Sequence, residues 1–201
     1  MELREEKKMF RQAALRCLRS IPPGRARMED RRLLTRLRSH LRKRRLRRVL
    51  LYLPLKMEVD VRPLIKELRR RGVEVYVPLM EGPSFRPVKY RLPLRKRRFG
   101  IYEPKNSRQY RPAKIDSAVV PIVGTDPTLR RIGFGKGFYD RFFEREKRQI
   151  EEIIFLQRRL CRASRVLTEA HDVRGDILIA GRPPCRGLEH KSRGENPSAL
   201  G

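Results

Sequence analysis

Five short apolar runs constrain this chain more than any other feature: VLLYLPL (Val49 to Leu55), VEVYVP (Val73 to Pro78), AVVPIVG (Ala118 to Gly124), IEEIIFLQ (Ile150 to Gln157) and DILIA (Asp176 to Ala180). Runs of this length, rich in β-branched residues, read as strands buried on both sides. Between them the period changes. Phe10, Ala13, Ala14, Cys17 and Leu18 recur at helical spacing from Arg4 to Ser20, and IPPG (Ile21 to Gly24) ends that helix. Leu33, Leu34, Leu37 and Leu41 mark a second helix. Leu64, Ile65 and Leu68 mark a third, with Asp60 placed to cap it and Gly72 to turn it at the end. Strands alternating with helices predict an α/β fold, a three-layer α/β/α sandwich with a mainly parallel, Rossmann-like sheet. Ligands in such sheets bind beyond the carboxyl ends of the strands. Here those ends carry KMEVD (Lys56 to Asp60), PLMEG (Pro78 to Gly82) and GTDPTLRRIGFGKG (Gly124 to Gly137).

At 201 residues with 39% hydrophobic content, one compact domain is expected. No run approaches the ~20 apolar residues of a membrane helix, and MELREEKKMFRQ has no apolar signal core, so the chain reads as cytosolic. Cys17, Cys161 and Cys185 have no Cys-x-x-Cys spacing and read as reduced thiols. The net charge is +28, with 18 Lys/Arg against 5 acids in residues 1–48, and RKRRLRR (Arg42 to Arg48) is the densest run. Three explanations stand side by side: nucleic-acid contact, a surface tuned to polyanionic small substrates, and arginine-rich solvated faces. Aromatics are not interleaved with the basic runs as stacking platforms would be, so only nonspecific nucleic-acid binding is expected.

The segment RRIGFGKGFYDRFF (Arg130 to Phe143) places glycines at 133, 135 and 137 around Lys136, just before aromatic pairs spaced four residues apart. Such glycines let backbone amides approach phosphate oxygens at a helix N-terminus, and Lys136 adds a point charge. The bare pattern is neither a P-loop nor a dinucleotide fingerprint, and it also fits a plain turn. On the first helix Lys7 and Arg11 lie roughly 40° apart, on one flank of the apolar stripe.

Four segments together resemble the 5-formyltetrahydrofolate cyclo-ligases, also called methenyltetrahydrofolate synthetases. They are KKMFR (Lys7 to Arg11), YLPLKMEVD (Tyr52 to Asp60), GIYEP (Gly100 to Pro104) and DPTLRRIGFGKGFYD (Asp126 to Asp140). The resemblance spans roughly residues 4 to 180. It implies a single domain over 1–180, followed by a basic tail, 181–201, whose composition reads as disordered. It implies ATP- and magnesium-dependent closure of 5-formyltetrahydrofolate, carried with or without a polyglutamate tail, to 5,10-methenyltetrahydrofolate with release of ADP and phosphate, in a cytoplasmic monomer.

The same resemblance implies roles for named residues. Lys7, Arg11, Arg131, Gly133, Phe134, Gly135, Lys136, Gly137, Phe138, Tyr139 and Asp140 would bind ATP, with Lys136 and Arg131 neutralising charge during phosphoryl transfer. Asp126 and Asp140 would hold magnesium, hard oxygens suiting a hard cation. Glu58 would accept hydrogen bonds from the pterin ring, while Met80, Phe99 and Tyr139 would pack on the pterin or benzoyl ring. Basic residues between Lys89 and Arg98 would meet the glutamate tail. Each also has a plain alternative: surface cations for Lys7 and Arg11, a strand-end carboxylate for Glu58, a first-turn helix acid for Asp140, core packing for the aromatics. No protein nucleophile is required, which agrees with the absence of a Ser/His/Asp or Cys/His set, and His40 and His171 read as structural or exposed. The chain departs from the family pattern at Thr125, where an aromatic is usual, at Leu129, where glycine is usual, and at Phe138, where tyrosine is common.

Overall fold

The computed structural model describes residues 2–97, 100–105 and 114–183. Helices α1 (Leu3–Arg19) and α2 (Pro23–Arg42) precede β1 (Arg48–Leu50), α3 (Arg62–Arg70), β2 (Glu74–Glu81) and β3 (Ser84–Lys89). Then come β4 (Leu94–Lys96), β5 (Tyr102–Pro104), β6 (Ser117–Pro121), β7 (Gly124–Thr125), β8 (Arg131–Ile132), α4 (Phe138–Glu146), β9 (Ile153–Gln157) and β10 (Ile177–Ala180). The central sheet runs β10-β9-β6-β1-β2-β3, with every neighbour parallel except β3, which returns antiparallel along β2. Two short ribbons, β4 with β5 and β7 with β8, stand apart from it.

Strand side chains alternate between two cores because successive Cβ atoms point to opposite faces. Val49, Val75, Val77, Val119, Ile154 and Leu156 face α2 and α3, where the leucine stripes of both helices bury them. Leu50, Tyr76, Ala118, Val120, Ile153 and Phe155 face α4 through Phe142 and Phe143. The alternating pattern thus yields the expected three layers. Each fully buried phenylalanine contributes about 2–3 kcal/mol by area. A third cluster lies beyond the carboxyl ends of the strands, where Phe10 and Ala14 of α1 pack on Val123, Ile132 and Leu167. That contact brings α1 to the end of the sheet where ligands are expected. No helix among the described residues is long and apolar enough to cross a membrane.

Two expectations need correction. The run Val49 to Leu55 is not one strand: pairing stops at Leu50, although Leu51 still donates its N–H to the Tyr76 carbonyl at 2.9 Å. The Tyr52 hydroxyl then donates to the Val59 carbonyl at 2.8 Å, closing the following residues into a loop whose ends, Leu53 and Val59, are buried and whose middle is partly exposed. The stretch after Pro78, which reads as a basic connection, instead builds β3 and the β4–β5 ribbon. Of its prolines, Pro87 falls on the edge strand β3, where a missing N–H is tolerated.

Candidate active site

A cavity of about 540 Å³ opens beyond the carboxyl ends of β1, β2 and β6. The segment after β1 supplies Tyr52 and Glu58 to one wall, and the glycine loop supplies Arg131, Lys136, Phe138 and Tyr139 to the other. Met80 and Phe85 of the β2–β3 hairpin, together with Ile101, complete an apolar lining. Three of the four quoted segments therefore converge on one space. The fourth, on α1, reaches the glycine loop from outside, where Arg11 Nε donates to the Gly133 carbonyl at 2.8 Å.

The glycine loop is shaped by Arg131. This side chain is 5% exposed; its Nε donates to the Pro121 carbonyl at 3.2 Å, and its guanidinium stacks 4.7 Å from the Tyr139 ring centre. A Cβ on Gly133 would come within 2.2 Å of Arg131 Nη1, so glycine here makes room for the guanidinium. Gly137 adopts φ +65° as the N-cap of α4, a conformation that costs a side chain, and the loop opens directly onto the helix. Gly135 is left-handed as well, at φ +87°. On the first turn of α4, Tyr139 packs edge-on to Phe85 with centroids 4.9 Å apart, and Phe142 stacks on Phe85 at 4.3 Å. The aromatic helix anchors the loop in the core, and burial raises the Tyr139 phenol above its ordinary value.

Glu58 sits on a turn closed in both directions. Its N–H donates to the Leu55 carbonyl at 3.0 Å, and its Oε2 accepts the Leu55 N–H at 2.8 Å. Burial pushes its carboxyl up to about 7, opposed by that N–H and by the charges of Arg131 and Arg158. A carboxylate with one spare oxygen beside an apolar cavity accepts hydrogen bonds from a ring edge, and at neutral pH it is poised between its two charge states.

The two expected magnesium ligands differ. Asp140 has Oδ1 buried with no hydrogen-bond partner among the described residues, and its Oδ2 lies 3.6 Å from Arg131 Nη1. A buried acceptor of this kind fits a hard cation. Asp126 is fully buried, and both its oxygens are committed. Oδ1 accepts from the Thr128 N–H at 3.0 Å and hydroxyl at 2.6 Å; Oδ2 accepts from the Leu167 and Thr168 N–H groups at 3.1 and 3.0 Å and the Thr168 hydroxyl at 2.5 Å. Five donors of the chain itself thus saturate Asp126, which is engaged in locking a turn.

Lys7 is engaged too, with Nζ 2.5 Å from Asp172 Oδ2, which leaves two of its three donors for another anion. Phe134 lines the cavity with the other loop residues. Phe99 and Arg98 lie outside the described residues, as does nearly all of the tail after Ala180. His40 is tied to Glu152 at 3.1 Å, and His171 is exposed beside Glu169. Tyr52 and Phe85 also line the cavity but carry no signal of it in the sequence, because a tyrosine inside an apolar run and a phenylalanine in a basic connection look like core or filler.

A model of the 5-formyltetrahydrofolate cyclo-ligase family matches residues 3–180. The chain belongs to that family. A relative named 5-formyltetrahydrofolate cyclo-ligase from Escherichia coli K12 is 35% identical over 100 residues, covering 46% of this chain and 55% of the relative. One from Haemophilus influenzae is 29% identical over 108 residues, covering 50% and 58%. The chain thus spans little more than half the length of these curated cyclo-ligases. Over the fold the likeness is wider. The solution structure of Aquifex aeolicus 5,10-methenyltetrahydrofolate synthetase superposes with a TM-score of 0.74 at 27% identity, covering 93% of this chain and 98% of that one. A Mycoplasma pneumoniae 5,10-methenyltetrahydrofolate synthetase shares the fold with a TM-score of 0.66 at 22% identity, covering 86% and 97%.

Proposed function

We propose that the chain catalyses the ATP- and magnesium-dependent cyclisation of 5-formyltetrahydrofolate to 5,10-methenyltetrahydrofolate, releasing ADP and phosphate. The observation that carries the reading is one cavity lined both by a carboxylate, Glu58, and by a glycine loop bearing Arg131 and Lys136. The volume suits a bicyclic ring and its aryl substituent. Family membership and the Aquifex likeness support the same reaction.

The formyl group is amide-like and a poor electrophile. In the proposed sequence its oxygen attacks the terminal phosphorus of ATP and ADP departs, giving an iminium phosphate at N5. N10 then adds to the activated carbon, its proton is lost, and phosphate leaves as the methenyl bridge forms. Glu58 holds the pterin edge while Met80, Phe85 and Tyr139 enclose the rings and exclude water. Arg11, Arg131, Lys136 and the loop amides hold the phosphates and offset charge as it shifts between them, with Lys7 able to add its spare donors. Asp140 would hold the magnesium ion, which when bound reduces the negative charge met by an incoming nucleophile.

The test is the near-ultraviolet absorbance of methenyltetrahydrofolate after mixing purified protein with 5-formyltetrahydrofolate, magnesium and ATP. An ATP-dependent rise is expected, and folded protein giving no rise rules the reading out. Lys136→Ala is expected to lower kcat/KM for ATP by about ten-fold or more.

A further inference from the structure

Asp30 lies on the apolar stripe of α2 beside Leu33, Leu34 and Leu37, and is 7% exposed. A carboxylate buried there requires a partner. Arg158, the first residue after β9 and 5% exposed, supplies it: Nε donates to Asp30 Oδ1 at 2.7 Å and Nη2 to Oδ2 at 2.9 Å. This two-pronged pairing leaves further guanidinium donors. Nη1 donates to the Lys56 carbonyl at 3.3 Å, and Nη2 also donates to the Glu58 carbonyl. Asp30 Oδ2 accepts the Asp60 N–H at 3.1 Å. The hydrogen bonds of the pair beyond itself thus fall on residues 56, 58 and 60, which flank and include the candidate ring-binding carboxylate.

We propose that Arg158, anchored by Asp30, is a positioning residue for substrate recognition: by gripping the main chain on both sides of Glu58 it fixes where that carboxylate projects into the cavity. The proposal rests on the reading of Glu58 given above. Arg158 does not itself line the cavity, so its influence on a substrate passes through Glu58, by the position of the turn and by the charge it presents to that carboxyl. The turn belongs to no helix or strand; its own hydrogen bonds join Leu55 to Glu58 and the Tyr52 hydroxyl to the Val59 carbonyl, and contacts such as those of the pair tie it to α2 and to the end of β9. Gly181 fits the same picture, since a Cβ there would lie 2.1 Å from the Arg158 carbonyl and displace its backbone. A pair kept only for stability is replaceable by apolar residues of similar volume, whereas a positioning pair is not.

The test uses the full chain carrying Asp30→Leu with Arg158→Met, which fills the space without a buried charge. The expected result is an unchanged melting temperature, a KM for 5-formyltetrahydrofolate raised about ten-fold, and a KM for ATP within about two-fold of wild type. Amide hydrogen exchange at Glu58 and Asp60 is expected to quicken about ten-fold while the sheet amides keep their rates. Arg158→Lys, which keeps the charge but loses the fork, should raise the same KM by about five-fold and serves if the pair of substitutions fails to fold. A folded variant with wild-type folate KM and wild-type exchange overturns the proposal, as do equal rises in both KM values. If the wild-type protein does not turn over the folate, the functional reading has failed and hydrogen exchange alone decides. Faster exchange confined to residues 55–60 then upholds the clamp, and a wild-type pattern removes it.

Discussion

Asp126 and Asp140 flank the same glycine loop, yet the fold treats them in opposite ways. Asp126 receives five hydrogen bonds and no solvent; Asp140 keeps one buried oxygen that nothing among the described residues satisfies. A saturated carboxylate stabilises the protein, and an orphaned one weakens it until something arrives to use it. The pair therefore separates an acid that ties its own turn to residues 167 and 168 from an acid with a buried oxygen still unpaired among the described residues, a distinction invisible in a motif where both are simply aspartate.

The sharpest way to break this contrast is Asp140→Asn. It is expected to lower kcat/KM by about a hundred- to a thousand-fold, with a melting temperature equal to or above wild type. Retained activity would remove Asp140 from the site. Asp126→Ala should do the reverse, costing on the order of 3 kcal/mol in chemical denaturation while the folded fraction keeps activity within a few-fold. Burial raises the Asp126 carboxyl, but the Thr128 and Thr168 hydroxyls and the neighbouring N–H groups outweigh it and hold the group below its ordinary 3.8. That contribution is complete above the unfolded value and is lost as pH falls through the folded one, so the variant and wild type should converge in strong acid.

Glu58 extends the comparison to an acid whose charge the fold resists. Its carboxyl is raised from an ordinary 4.5 to about 7, so the native state retains a proton that the unfolded chain has released. Wild-type stability therefore falls between those two pH values. Glu58→Gln should match wild type in acid and exceed it by up to about 3 kcal/mol above neutrality, while the KM for 5-formyltetrahydrofolate rises at every pH where wild type is ionised. Equal melting curves at alkaline pH would mean that the carboxyl is solvated and ordinary. The smallest effect concerns Leu129, which stands at φ 56°, a left-handed conformation disfavoured for a branched side chain. Leu129→Gly should stabilise by about 1 kcal/mol, read as a rise in melting temperature, and leave kinetics unchanged.

What the sequence made legible follows a physical division. Local periodicity carries the layers: the leucines of α2 and α3 and the phenylalanine pairs of α4 lie where their spacing puts them, and the glycine loop opens onto its helix as composition and order imply. Leu129 was visible as a departure from glycine, and the left-handed backbone shows what the departure costs. The parts that were not legible depend on partners distant in the chain. Asp126 is saturated by Leu167 and Thr168, and the turn bearing Glu58 is held by Asp30 and Arg158, whose union joins residues 128 positions apart. A charged residue inside an apolar helical stripe, as at Asp30, was the one signal that some such partner must exist.

The Arg131 guanidinium touches a residue proposed for each substrate, resting on the Tyr139 ring and lying 3.6 Å from Asp140. Under the proposed reaction, nucleotide and folate share one piece of furniture, and any adjustment that either makes to it is felt by the other. Their affinities are then thermodynamically linked. The factor by which bound nucleotide tightens or loosens folate must equal the factor by which folate tightens or loosens nucleotide, so the two substrates select one another before any chemistry begins.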